Sequence, residues 1–192
     1  MEGYIDRGTY YELIYPPRTP EWEKARQGKV TATGASAVSG RSRFMSREAY
    51  KHQIINNTKI DVNDDMRRGI ELEPTILAEY CKVKGYKIRQ PSFCLSKIIP
   101  DIGATPDAIV LNSDGTDSKL IVECKAPRTI KEFIYDAHVL QMQFQMFVVG
   151  ATSCDYVQYA DGRIDIRREE FDEVKWGLLQ TCVEDFLVEL KQ

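Results

Sequence analysis

Apolar and polar positions divide this chain into short, readable elements. Two apolar runs, residues 108–111 and 120–122, flank the polar stretch Asn112-Ser-Asp114-Gly115-Thr-Asp-Ser-Lys119. Asp-Gly between such runs signals a hairpin. Folding about it sets Asp107 opposite Val122 or Glu123. Glu123 and Lys125 then share one strand face, with Val122 and Cys124 on the other. Residues 155–160 and 163–167 repeat the pattern around Asp161-Gly162, and their alternation predicts one buried face. Helical spacing recurs elsewhere. Thr19-Pro20 opens a helix that Gly28 ends, with Trp22 and Ala25 inward and Lys24 and Arg26 outward. Ser46 caps a helix running to residue 55. Residues 66–84 form a helix stopped by Gly85, with Ile70, Glu73, Leu77 and Tyr80 on one face beside Leu72 and Ile76. Residues 136–149 predict a helix carrying Gln141 and Gln145 on one face, with His138 as an ordinary helical histidine. Phe171, Val174, Leu178, Cys182, Phe186 and Leu190 recur along a closing amphipathic helix. Residues 86–95 and 98–102 read as strands, residues 56–65 as a polar turn, and residues 1–18 as an N-terminal arm or loop. No repeat or linker interrupts residues 1–192, which read as a single domain.

The length of 192 residues suits one domain with a real core. No apolar run nears the roughly 20 residues that span a bilayer, and the N-terminus lacks a signal-peptide core. A soluble, intracellular protein is expected. The five cysteines are odd in number and widely spaced, and His52 and His138 lie far apart. That pattern predicts reduced thiols and argues against structural zinc or an iron–sulfur cluster. The net charge of -3 hides an asymmetry: residues 18–51 hold eight Lys/Arg against three Asp/Glu, and residues 154–192 hold five against ten. The basic third suits phosphates, as it would also suit a solvated surface.

The first hairpin brings Asp107, Glu123 and Lys125 together. Two carboxylates about 4 Å apart repel by about 4 kcal/mol at an effective dielectric near 20. A lysine offsets part of this, and a divalent cation offsets more. An ordinary half-exposed hairpin matches so short a motif too. Glu73 is an acid in an apolar stripe, where unpaired carboxylates are rare. It reads as a metal ligand or a ligand's partner, with Glu71 next in line. The alternative is a helix starting at Pro74, whose dipole would favour Glu73. In Val30-Thr31-Ala-Thr33-Gly-Ala, a helix start with free N–H groups suits an anion, and simple capping by threonine explains it as well.

Four blocks follow in order: Glu21-Trp-Glu-Lys-Ala-Arg26-Gln-Gly-Lys-Val-Thr31-Ala-Thr33, Gly69-Ile-Glu-Leu-Glu73-Pro, the Asp107…Glu123-Cys-Lys125 hairpin, and Gln141-Met-Gln-Phe-Gln-Met146. Together they resemble the PD-(D/E)XK nuclease superfamily and, more narrowly, the phage lambda exonuclease and YqaJ-type viral recombinase family. The resemblance implies an α/β restriction-endonuclease-like core, a central mixed β-sheet flanked by helices. It implies a metal-dependent DNA exonuclease, 5′ to 3′ on linear double-stranded DNA ends, serving viral recombination. Asp107, Glu123 and the Cys124 carbonyl would hold Mg²⁺ (Mn²⁺ as substitute), as one or two ions, with Glu73 at a second ion or an ordered water. Lys125 would orient or deprotonate the attacking water, and Gln141 would face the catalytic centre, more surely than Gln145. Arg26, Thr31 and Thr33 match residues that hold the DNA 5′-phosphate. A single-strand annealing protein and a ring-shaped homotrimer are the implied partners. Two further readings are a structure-selective or restriction-like endonuclease on the same core and a non-catalytic DNA-end-binding module. The intact Asp107, Glu123 and Lys125 set argues against the module.

Overall fold

A computed structural model describes residues 2–58 and 61–192, so residues 59 and 60 of the expected 56–65 turn lie outside the described residues. Tyr4–Asp6 (β1) and Tyr10–Leu13 (β2) pair antiparallel. Residues 1–18 are therefore not merely an arm or loop. Strands of three and four residues are too short to show alternation, and Gly8 at φ 87° turns the chain between them. Thr19 caps Pro20–Arg26 (α1) by accepting from the Trp22 N–H. Val30–Thr31 (β3) leads through a 3₁₀ turn at Ala32–Gly34 into the short helix Ala35–Val38 (α2). Ser46 caps Arg47–Ile55 (α3). Asp64–Lys84 (α4) starts at an Asn63 cap and ends at left-handed Gly85. Pro74 thus lies inside α4, not in its first turn.

Ile88–Arg89 (β4), Cys94–Ser96 (β5) and Ile102–Ala104 (β6) precede the hairpin of Ala108–Leu111 (β7) and Asp117–Lys125 (β8). Asp136–Val149 (α5), Ser153–Ala160 (β9), Arg163–Glu170 (β10) and Glu173–Glu189 (α6) complete the order. The expected mixed α/β architecture holds, with its strands shared between two sheets, β1-β2-β5-β6-β3 and β10-β9-β8-β7-β4. The chain crosses between the sheets at Thr105-Pro106-Asp107. Helix α5 is the crossover that lets β8 and β9 run parallel.

One core packs Ile109 and Ile121 with α2, α5 and α6. A second packs Ala108, Val110, Leu120, Val122 and Val157 with Ile76, Leu77 and Tyr80 of α4. The middle strands are therefore covered on both sides. This corrects the one-sided burial expected of residues 155–160: every residue of β9 except Tyr159 is buried. The closing helix also turns by part of a step. Trp176, Leu179, Val183 and Phe186 face inward, while Val174 and Leu178 are 74% and 64% exposed. Two apolar stripes interleave on α6. The one carrying Trp176 prevails because that ring stacks on Phe147 at 4.0 Å between centroids.

Candidate active site

In the first hairpin Ala108 pairs with Val122 and Ile109 with Ile121, which places Asp107 opposite Glu123. The Asp107 N–H donates to the Val122 carbonyl at 3.1 Å, and the Cys124 N–H donates to Asp107 Oδ2 at 2.6 Å. A strand residue's N–H and C=O point to the same neighbour, so the Cys124 carbonyl faces that edge too. Glu123 is 2% exposed. The α5 crossover lies over its face, and side chains four residues apart on α5 point the same way. Gln141 Nε2 donates to Glu123 Oε1 and Gln145 Nε2 to Glu123 Oε2, each at 2.7 Å. Lys125 Nζ bonds Glu123 Oε1 and lies 3.3 Å from Gln141 Oε1. The structure thus brings together Asp107, Glu123, Cys124, Lys125 and Gln141, and adds Gln145 on equal terms with Gln141.

Burial first, then the Glu123 charge, pushes the Asp107 carboxyl well above its usual range. Lys125 and the Cys124 amide oppose that rise. Burial alone would lower the Lys125 ammonium. The charges of Glu123 and Asp107 outweigh it and hold the pKa above that of an ordinary lysine. Lys125 is consequently held as an ammonium in this arrangement. Beside it, His138 Nδ1 lies 2.8 Å from the Tyr156 hydroxyl. Burial, with Lys125 adding to it, drops the His138 pKa to about 3, so the ring is neutral.

The donors here fit a hard divalent cation. Two carboxylates whose repulsion raises Asp107, with a carbonyl between them, form an oxygen-only set. Among the described residues, no three His, Cys, Asp or Glu side chains converge on one point. Water would complete the coordination, as Mg²⁺ prefers. Glu73 is near enough to help raise Asp107, yet its carboxylate is engaged elsewhere. Its Oε2 accepts from Arg18 Nη2 at 2.5 Å and its Oε1 from Gln90 Nε2 at 3.0 Å. Glu71 is exposed.

A second cluster surrounds Arg26, which was expected to reach outward. Its guanidinium instead lies 4.0 Å from the Trp22 ring centroid, with Nε buried and without a hydrogen-bond partner. Burial lowers its pKa, and the Tyr50 hydroxyl and Glu23 act against that. Thr31 makes no side-chain cap bond, which removes the simple capping explanation. Its N–H donates to Tyr50 Oη at 3.2 Å, and its Oγ1 lies 3.1 Å from that of exposed Thr33. Thr31 also pairs with Gly103 in the parallel β3–β6 register. Gly103 is four residues before Asp107, a span of at most about 13 Å of extended chain.

Sequence reasoning missed three participants. Arg18 and Gln90 meet Glu73 only through the tertiary fold. Tyr156 arrives beside Glu123 through the parallel β8–β9 register, after the crossover. Only His138 carried a signal, one helical turn before Gln141.

The profile of a family described as the YqaJ-like viral recombinase domain matches residues 21–152. An alkaline exonuclease from Laribacter hongkongensis, LHK-Exo, is similar over 90% of this chain and 93% of its own, at 30% identity and a TM-score of 0.77. Its complex with dAMP superposes with a TM-score of 0.78. A phage-related exonuclease from Haemophilus somnus 129PT shares the fold at 18% identity and a TM-score of 0.55, over 93% of this chain and 91% of its own. No curated protein matches the chain.

Proposed function

We propose, from the premise that this chain belongs to the YqaJ-like viral recombinase domain family, that the Asp107–Glu123–Lys125 cluster is where this DNA exonuclease of recombination cleaves. All 192 residues act as one nuclease domain. Asp107, Glu123 and the Cys124 carbonyl hold Mg²⁺, for which Mn²⁺ can substitute. Glu73 holds a second ion or an ordered water once it is released from Arg18. The bound ion supplies positive charge against the phosphoryl oxygens. Lys125, as an ammonium, orients the attacking water and donates to the charge that develops on phosphate. Gln141 and Gln145 fix the Glu123 carboxylate so that it faces the ion in one orientation. Arg26, Thr31 and Thr33 hold the terminal 5′-phosphate, which sets a 5′ to 3′ direction on linear duplex.

The observation that supports the direction is the buried Arg26 Nε without a hydrogen-bond partner, at the end of the helix that leads into β3, the strand paired with β6. A guanidinium in such a place is built for a planar, multi-oxygen anion. Initial digestion rates on linear duplexes with 5′-phosphate or 5′-hydroxyl ends test it. Wild type favours the phosphate, and Arg26→Ala loses that preference with its fold intact. Equal rates on the two ends in wild type refute the pocket. Covalently closed circular DNA should survive with Mg²⁺ present, and its cleavage would mark an endonuclease. The family likeness also supports a ring-shaped homotrimer around DNA and an annealing protein as partner. Light scattering showing a monomer at all concentrations refutes the ring.

A further inference from the structure

We infer that residues 133–138 form an aromatic ledge that stacks on an unpaired nucleobase beside the scissile phosphodiester. The inference rests on the exonuclease reading and extends it to how the site grips the DNA end. Four rings run outward from the catalytic cluster. Tyr156, opposite Glu123 in register, lies 5.6 Å from His138 between ring centroids. His138 meets Tyr135 at 5.6 Å, and Tyr135 meets Phe133 at 4.9 Å, both edge to face. The inner pair is covered, and the outer pair is open: Phe133 is 56% exposed and Tyr135 39%.

Apolar rings left in water and held still call for an occupant. The loop is held at Lys131. The Lys131 N–H donates to Gln158 Oε1 at 3.0 Å, and its carbonyl accepts from Gln158 Nε2 at 2.9 Å and Arg167 Nη2 at 2.8 Å. Gln158 is 1% exposed and pairs in register with Lys125, so the loop is anchored on β9, the strand next to the one that carries Glu123 and Lys125. Arg128, whose exposed side chain lies 3.2 Å from Asp65, and Lys131 precede Phe133 in the same loop and can meet phosphates. Two rings cover far less than the roughly 1,000 Å² that a stable protein interface needs. A base has a π face of matching size, and stacking it between cations and aromatics is how single-stranded nucleic acid is gripped.

The test uses the full chain and a linear duplex carrying 2-aminopurine at its first two 5′ nucleotides and a dye at the far end. Protein is titrated in EDTA at low salt, with anisotropy reporting binding and 2-aminopurine fluorescence reporting stacking. Wild type should quench. Phe133→Ala and Tyr135→Ala should bind with most of the quenching lost, Phe133→Trp should restore it, and Phe133→Leu should not. With Mg²⁺, the two alanine variants should raise KM about ten-fold and change kcat less. Binding with no quenching in wild type, or equal quenching in the alanine variants, overturns the ledge, including the case where a protein covers these rings. Failure of wild type to digest linear duplex with Mg²⁺ overturns the exonuclease reading instead, and the fluorescence result stands apart from it. A wild type that binds no duplex overturns both.

Discussion

Glu123 is nearly sealed from solvent, and both of its oxygens are held by amides from α5. Asp107 across the hairpin receives one backbone N–H and the full repulsion of that neighbour. In the unfolded chain its carboxyl ionises near 3.8, and in the fold well above. Between those values the native state keeps a proton that the unfolded chain releases, so this contribution to stability falls as pH rises. It is complete below the unfolded value and is lost through the folded one. Asp107→Asn keeps the shape and the acceptor and removes the titration. Without divalent cation, its melting temperature should exceed that of wild type at pH 8, by a margin that shrinks toward pH 4. Adding Mg²⁺ should raise wild type only, and hydrolysis by the variant should vanish with DNA binding kept. A thermal scan across pH with and without Mg²⁺ checks the first two, and a nuclease assay with a DNA-binding titration checks the third. Asp107, Glu123 and Lys125 were legible in the sequence because strand alternation acts over a few residues. Gln145 was underrated because a glutamine on a helix normally faces water. Its burial follows from the crossover, which no local pattern encodes.

At the level of elements, the short segment β3–α2 matters as much as the catalytic hairpin. A Cβ on Gly34 would sit 2.1 Å from the Tyr50 ring, whose hydroxyl holds Thr31. Gly34→Ala must displace that ring, so it should cost about 1–3 kcal/mol and weaken the preference for 5′-phosphate ends together. Chemical denaturation and the two-substrate rate assay measure the two effects. A loss of stability with the preference intact would detach Tyr50 from the pocket. The long helices were readable from their caps and periods: α5 has the expected bounds, and α4 begins two residues earlier than expected. The phase of α6 was not readable, because Val174 and Leu178 form a stripe as regular as that of Trp176, Leu179, Val183 and Phe186. Ring packing against Phe147 decides between them, and that contact is tertiary. β1 and β2 escaped notice because each is stabilised by its neighbour in the sheet more than by its own pattern.

For the whole molecule, the proposed function needs the two sheets to stay in register, so that Arg26 and Asp107 meet one DNA end. Arg89 ties them. From β4 its Nε meets Asp117 at 2.6 Å, its Nη1 meets Glu12 of the other sheet at 2.7 Å, and its Nη2 meets the Tyr10 hydroxyl at 3.0 Å. Glu12 is 5% exposed. Removing this cation leaves the buried Glu12 with Arg7 as its cationic partner at 2.8 Å, so Arg89→Ala should lower unfolding free energy by roughly 1.5–3 kcal/mol in urea titration. A loss under about 1 kcal/mol would make this a surface pair in energetic terms. The parallel pairing of β8 with β9 also has a consequence in time. During synthesis, Glu73, Asp107, Glu123 and Lys125 leave the ribosome well before β9 does. The β8–β9 pairing cannot form until β9 emerges, and non-local parallel pairing is slow to form. Until then Tyr156 is absent from beside Glu123. A nascent chain that stops short of β9 therefore lacks one wall of the Glu123 site.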